Sequence, residues 1–217
     1  MDAFWTEDQT TLRRKARDYF CREGEALCRG ASKPSPSILR DLGISPDADG
    51  FPAFSGSAGV SEGVLIIEEA SFYGPRLGLE LIKRWMSGKA GNSLESKLYR
   101  LARISGTVAY VFEAGAREAR ARGVFESSLM GCRELQEGLA GLASGVEILR
   151  LGACRLCHLL GRGERDRGEA ELTRLYEKAL ALGRETGSVA LSLLGEAWTR
   201  DNLPGPEFSS EHERNQA

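Results

Sequence analysis

Apolar side chains near the start of the chain recur at intervals of three and four: Leu12, Ala16, Tyr19, Phe20, Ala26 and Leu27, with Arg13, Arg14, Arg17 and Glu23 off the stripe. That period predicts an amphipathic helix. Thr6 followed by Gln9 marks its beginning, because the Thr hydroxyl can accept from the third helical amide while the Gln side chain reaches back to the Thr amide. Its end is expected near Gly30. The next stretch is broken by Pro34, Pro36, Gly43, Pro46, Gly50, Pro52, Gly56 and Gly59, which leaves room for one short helix at about residues 37–42 and otherwise predicts loop. Val64-Leu65-Ile66-Ile67 could form a strand by its β-branching, but Ala70 and Phe72 continue the apolar pattern at helical spacing and favour helix. Gly74-Pro75 ends that element, and a second helix over about residues 75–86 follows.

Residues 87–92 contain Gly88 and Gly91 and read as a linker, so an N-terminal helical region is expected over residues 1–86 and a second region over 93–199. Ser93 can cap a helix carrying Leu94, Leu98, Leu101, Ala102, Ser105, Val108, Ala109, Phe112 and Ala116, running to about Arg122. Leu135, Leu139, Leu142, Val146, Leu149, Ala153, Leu156 and Leu160 define the next helix. Leu172, Leu175, Ala179, Leu182, Val189 and Leu193 define the last. Alternating spacings of four and three predict three long antiparallel helices packed as a left-handed bundle, with a tight polar connection at residues 161–168. Asn202-Leu203-Pro204-Gly205-Pro206 stops helix, and the polar remainder, residues 200–217, is expected to be disordered. The fold class is all-α: a short N-terminal helical segment followed by a long-helix antiparallel bundle.

With 217 residues the chain can bury roughly 70% of its unfolded surface without disulfides or metals. A formal net charge of -2 supplies no positive field for polyphosphate, so nucleic acid is not an expected partner. No apolar run approaches the roughly 20 residues of a membrane span. Met1 to Asp8 has neither a basic nor an apolar leader pattern, and five cysteines is an odd number. A cytoplasmic location with reduced thiols is therefore expected.

Cys154-Arg155-Leu156-Cys157-His158 has the spacing of covalent haem attachment. It falls inside a regular amphipathic helix, with Leu156 on the apolar face, and packing thiols are the expectation instead. Zinc would need a fourth ligand, and the other histidine, His212, lies in the tail; neither haem nor a metal is expected. Gly138, Gly141 and Gly145 line one helix at a cost of roughly 1 kcal/mol each against Ala, which close helix approach or a ligand near the backbone would offset. With no nucleophile elbow or phosphate loop present, acid–base chemistry would rest on carboxylates. Glu68, Glu69 and Glu95 are the candidates, unless they are solvated surface.

Three segments carry a family resemblance. Phe4-Trp5-Thr6-Glu7-Asp8-Gln9 with Leu12-Arg13 and Arg17-Asp18-Tyr19-Phe20-Cys21-Arg22-Glu23 resembles the first helix of acyl-CoA dehydrogenases, and Leu39 to Gly43 the segment after it. Residues 57–81, with Gly59 and Ile67-Glu68-Glu69-Ala70, are similar to the family's glycine turn and paired-glutamate helix. Arg120-Ala121-Arg122-Gly123-Val124-Phe125, Leu129 and Leu135-Gln136 resemble its Arg-x-x-Phe-Gly signature and the following bundle helix.

In the family a strand-rich domain separates the two helical blocks and holds much of the flavin and acyl-CoA, whereas here a dozen residues join Leu81 to Ser93. The family's base position falls on Ser96. The adjacent Glu95 is rotated from it by about 100° on a helix. Glu126 replaces the signature glycine and Arg133 the first of two helix glutamines. The resemblance thus implies a non-catalytic subunit whose Arg122 and Phe125, with Gln136, complete the FAD site of a full-length acyl-CoA dehydrogenase homologue or of a second copy, with acyl-CoA as a further ligand. The alternatives are a flavin-free helical scaffold and an independent small dehydrogenase using Glu95 or Glu68 as base.

Overall fold

The computed structural model describes residues 5–28, 45–46, 52–53, 60–85, 94–124, 127–203 and 208. Seven α-helices make up nearly all of them: α1 (Glu7–Cys28), α2 (Val60–Tyr73), α3 (Pro75–Trp85), α4 (Leu94–Ala121), α5 (Arg133–Gly161), α6 (Arg165–Leu194) and α7 (Glu196–Asn202). Two antiparallel pairs of two residues each, β1 (Ser45–Pro46) with β2 (Pro52–Ala53) and β3 (Gly123–Val124) with β4 (Ser127–Ser128), complete the described elements with a 3-10 turn at Leu129–Gly131. The expected short helix at residues 37–42, the linker at 87–92 and Phe125 lie outside the described residues.

The capping box forms as the sequence predicts. The Thr6 amide donates to Gln9 Oε1 at 3.0 Å, and the Gln9 amide donates to Thr6 Oγ1 at 3.2 Å, satisfying two of the helix's otherwise unpaired donors. α2 is a helix rather than a strand. The connection between α5 and α6 is tighter than expected: only residues 162–164 separate them, with Gly163 at φ 77° making the turn. Gly195, at φ 90°, makes the break between α6 and α7.

Helix α4 is central and packs against α2, α3, α5 and α6. It is buried well beyond a single seam: Ile104 and Val111 are as enclosed as Leu98, Leu101 and Val108. A helix apolar on most of its circumference must be covered on most sides, and here α5 and α6 cover one side while α2 and α3 cover the other. Val64, Ile67 and Ile82 consequently share one core with Leu142, Leu149, Leu156, Leu172 and Ala179. The N-terminal helices and the long-helix bundle are thus joined by a common interior. A smaller cluster of Ala16, Tyr19, Phe20, Ile66, Ala70, Leu77 and Leu81 seats α1 on α2 and α3.

Order also extends past residue 199, where the sequence reading began a disordered tail. α7 continues to Asn202, Leu203 is buried, and Phe208 lies under the Arg103 guanidinium, 5.1 Å from its ring centroid. The apolar side chains of Leu203 and Phe208 find cover on the bundle, which a polar average over the segment conceals. Residues 209–217 lie outside the described residues.

Candidate functional site

Among the described residues, three places concentrate chemistry-bearing side chains. The first is a buried ionic centre built on Glu68 and Glu69 of α2, which are 4% and 2% exposed. Adjacent helix positions point about 100° apart, so the two carboxylates engage different partners. Glu69 receives Arg13 Nε at 2.7 Å and a two-pronged contact from Arg17, Nη2 to Oε1 at 3.0 Å and Nε to Oε2 at 3.2 Å. Glu68 Oε1 accepts from Ser105 Oγ of α4 at 3.2 Å, from Arg13 Nη2 at 3.5 Å and from Arg150 Nε of α5. Arg150 also approaches Glu147, at 3.6 Å.

Four helices therefore meet at one pair of carboxylates. Burial works to lower the Arg13 pKa, but Glu68 and Glu69 outweigh it and the net direction is upward. Glu68 and Glu69 were expected to be either bases or solvated surface; they are neither exposed nor open to a substrate proton, since arginines and a serine occupy them. Sequence reasoning missed Arg13, Arg17 and Arg150 as their partners. The signal available was Arg13 and Arg17 one turn apart, since both reach the same side of α1.

The second place is the far end of α4. Arg122 is exposed there, with Nε donating to Glu118 Oε1 at 2.6 Å, and its carbonyl accepts from the Leu129 amide at 2.8 Å. Gln136, in the first turn of α5 and also exposed, donates from Nε2 to the Met130 carbonyl at 2.8 Å. Arg122 and Gln136 thus flank the same short turn, β3 to the 3-10 segment. Glu95 and Ser96 sit at the opposite end of α4, roughly 40 Å away at the helical rise of 1.5 Å per residue. Ser96 is buried and Glu95 half-buried. Within one chain the structure does not bring Glu95 or Ser96 to Arg122 and Gln136.

The third place is a cleft of about 340 Å³ where α1 and α2 begin and α5 ends, lined by Trp5, Thr6, Gln9, Ser61, Cys154, Cys157, His158 and Arg162 among others. Spacings of three and four put Cys154, Cys157 and His158 on one side of α5. Burial pushes the Cys157 thiol up to about 12, against a lowering hydrogen bond with Ser61, and burial pushes Cys154 upward too. Near neutral pH both are thiols rather than thiolates, the form that would attack or ligate. Among the described residues no group of three or more His, Cys, Asp or Glu side chains is placed to hold a metal ion.

The glycines of α5 answer the question they posed. A Cβ on Gly145 would stand 2.5 Å from Leu182 of α6, so that glycine permits close helix approach, while one on Gly138 would meet only Val189, at 3.7 Å. Together these features define an all-helical bundle protein with an internal ionic lock. Among the described residues no helix is long and apolar enough to cross a membrane. No family model, curated protein or solved structure matches the chain.

Proposed function

We propose that this chain is a non-catalytic subunit of a flavoprotein assembly, one that lends Arg122 and Gln136 to the FAD site of a full-length acyl-CoA dehydrogenase homologue. The separation along α4 carries this reading. Arg122 and Gln136 stand exposed at one end of the helix, and Glu95 and Ser96 lie at the other, so a flavin that Arg122 touches is out of reach of Glu95 and Ser96 on the same chain. Glu68 and Glu69, the remaining carboxylate candidates, are occupied by Arg13, Arg17, Arg150 and Ser105.

An FAD pyrophosphate requires cationic or N–H donors, and a guanidinium meets that need with fixed, planar geometry. Arg122 and Gln136 fit the donor half of such a site. Both side chains are exposed, which suits a site walled by the partner. FAD itself would supply the hydride acceptor.

Co-expression with a full-length acyl-CoA dehydrogenase tests the proposal. A yellow complex should co-purify, and Arg122→Ala should weaken its flavin retention about tenfold or more, the effect of losing one charge-assisted hydrogen bond. Unchanged flavin affinity and activity in that variant would refute the role. A second reading, a flavin-free helical interaction module, is favoured by the large apolar side chains left exposed at Ile148, Leu151 and Leu191; a colourless complex would select it.

A further inference from the structure

The outer face of α5 carries a row of exposed residues: Glu137, Gly141, Ser144, Ile148, Leu151 and Arg155. Their spacing is four, three, four, three, four, the interval that holds a straight seam along one side of a helix against a neighbouring helix. Ile148 and Leu151 are 51% and 45% exposed. Two large apolar side chains one turn apart on the exposed face of a helix mark an interaction surface more often than scattered surface apolars do.

We infer that this row is a seam for a second copy of the chain, whose own α5 crosses it antiparallel about a two-fold axis beside Val146. The row is complementary to itself in that one orientation. Ile148 then faces Ser144 of the other copy, Leu151 faces Gly141, and Glu137 faces Arg155, each pair occurring twice. Every large apolar side chain meets a small residue and every charge meets its opposite. A parallel pairing instead sets Glu137 on Glu137 and Arg155 on Arg155, and Ile148 on Ile148.

Two-fold association needs a patch that reads the same from both partners, and this row has that property. Glu137 already pairs with Arg133 at 2.7 Å and Arg155 with Glu171 of α6 at 2.8 Å, so the contacts across the seam extend two existing exposed pairs into networks. The Glu185 carboxylate, 3.1 Å from where Gly141 would carry a Cβ, is exposed and swings aside to admit Leu151. Flavin plays no part in the seam, so this inference stands or falls separately from the proposed function.

Sedimentation equilibrium of the full chain over a range of concentrations provides the test. A reversible monomer–dimer equilibrium is expected, weakened at least about tenfold by Leu151→Glu or Ile148→Glu, with helical circular dichroism unchanged because both side chains are already exposed. Glu137→Arg alone and Arg155→Glu alone should each weaken the dimer several-fold, and the double variant should bind more tightly than either single one, the coupling that a direct contact produces. A chain that stays monomeric at every concentration overturns the inference. So does a dimer indifferent to Leu151→Glu, or a double charge exchange that recovers nothing.

Discussion

Cys157 illustrates what enclosure does to a single group. Its thiol would ionise near 9 in an unfolded chain, and burial between α5 and the start of α2 moves that ionisation up to about 12. Between those two values the unfolded chain has released the proton and the folded chain has kept it, so raising the pH favours unfolding. Tyr19, also raised by burial to about 12, acts in the same direction above its unfolded value of 10. Stability should therefore hold from neutral pH to about 9 and fall as pH rises toward 12. Urea titrations along that range should show a shallower fall in Cys157→Ala than in the parent chain; equal slopes would mean the thiol does not experience the enclosure described.

Among the elements, the contact of α2 with α4 is set by absence of a side chain. Gly106 of α4 faces the Glu68 carbonyl so closely that a Cβ there would overlap it, and Ser71 presses on the same spot, 2.9 Å away. A backbone carbonyl held in a helix has no rotamer with which to move aside. Gly106→Ala is thus expected to destabilise by at least about 1–3 kcal/mol despite the better helix propensity of Ala. Gly131→Ala, where a Cβ meets nothing within 4 Å, is the matched control and should leave the denaturation midpoint within error. If the two behaved alike in chemical denaturation, the close approach of α2 to α4 would be wrong. Close packing at Gly145 was legible from its place in a run of helix glycines, whereas Gly106 gave no warning, because its crowding depends on a helix more than thirty residues earlier in the chain.

At the scale of the molecule, the carboxylates of Glu68 and Glu69 hold α1, α2, α4 and α5 to one point. Removing one partner of a buried pair leaves the other charge without compensation, at a cost of about 3–5 kcal/mol. Glu69→Gln should accordingly destabilise strongly, because it takes the nearer of two carboxylates from the buried Arg13 and leaves it only the 3.5 Å contact with Glu68. Arg17→Ala should cost about 1 kcal/mol or less, since half of that side chain stands in solvent and water compensates it. Thermal or urea unfolding of both variants checks the contrast, and a Glu69→Gln variant as stable as Arg17→Ala would remove the ionic centre from the architecture.

Local pattern alone determined the helices. The Thr6 and Gln9 cap, the three-to-four spacing of α1, and the long seams of α4, α5 and α6 are properties of neighbouring residues, and a helix of such length presents its apolar stripe whatever it later packs against. Tertiary structure alone decided that Glu68 and Glu69 are buried and that Arg13, Arg17 and Arg150 neutralise them. Those arrangements join residues more than fifty, and in one case more than eighty, positions apart, and a charge reads the same in sequence whether water or another side chain surrounds it.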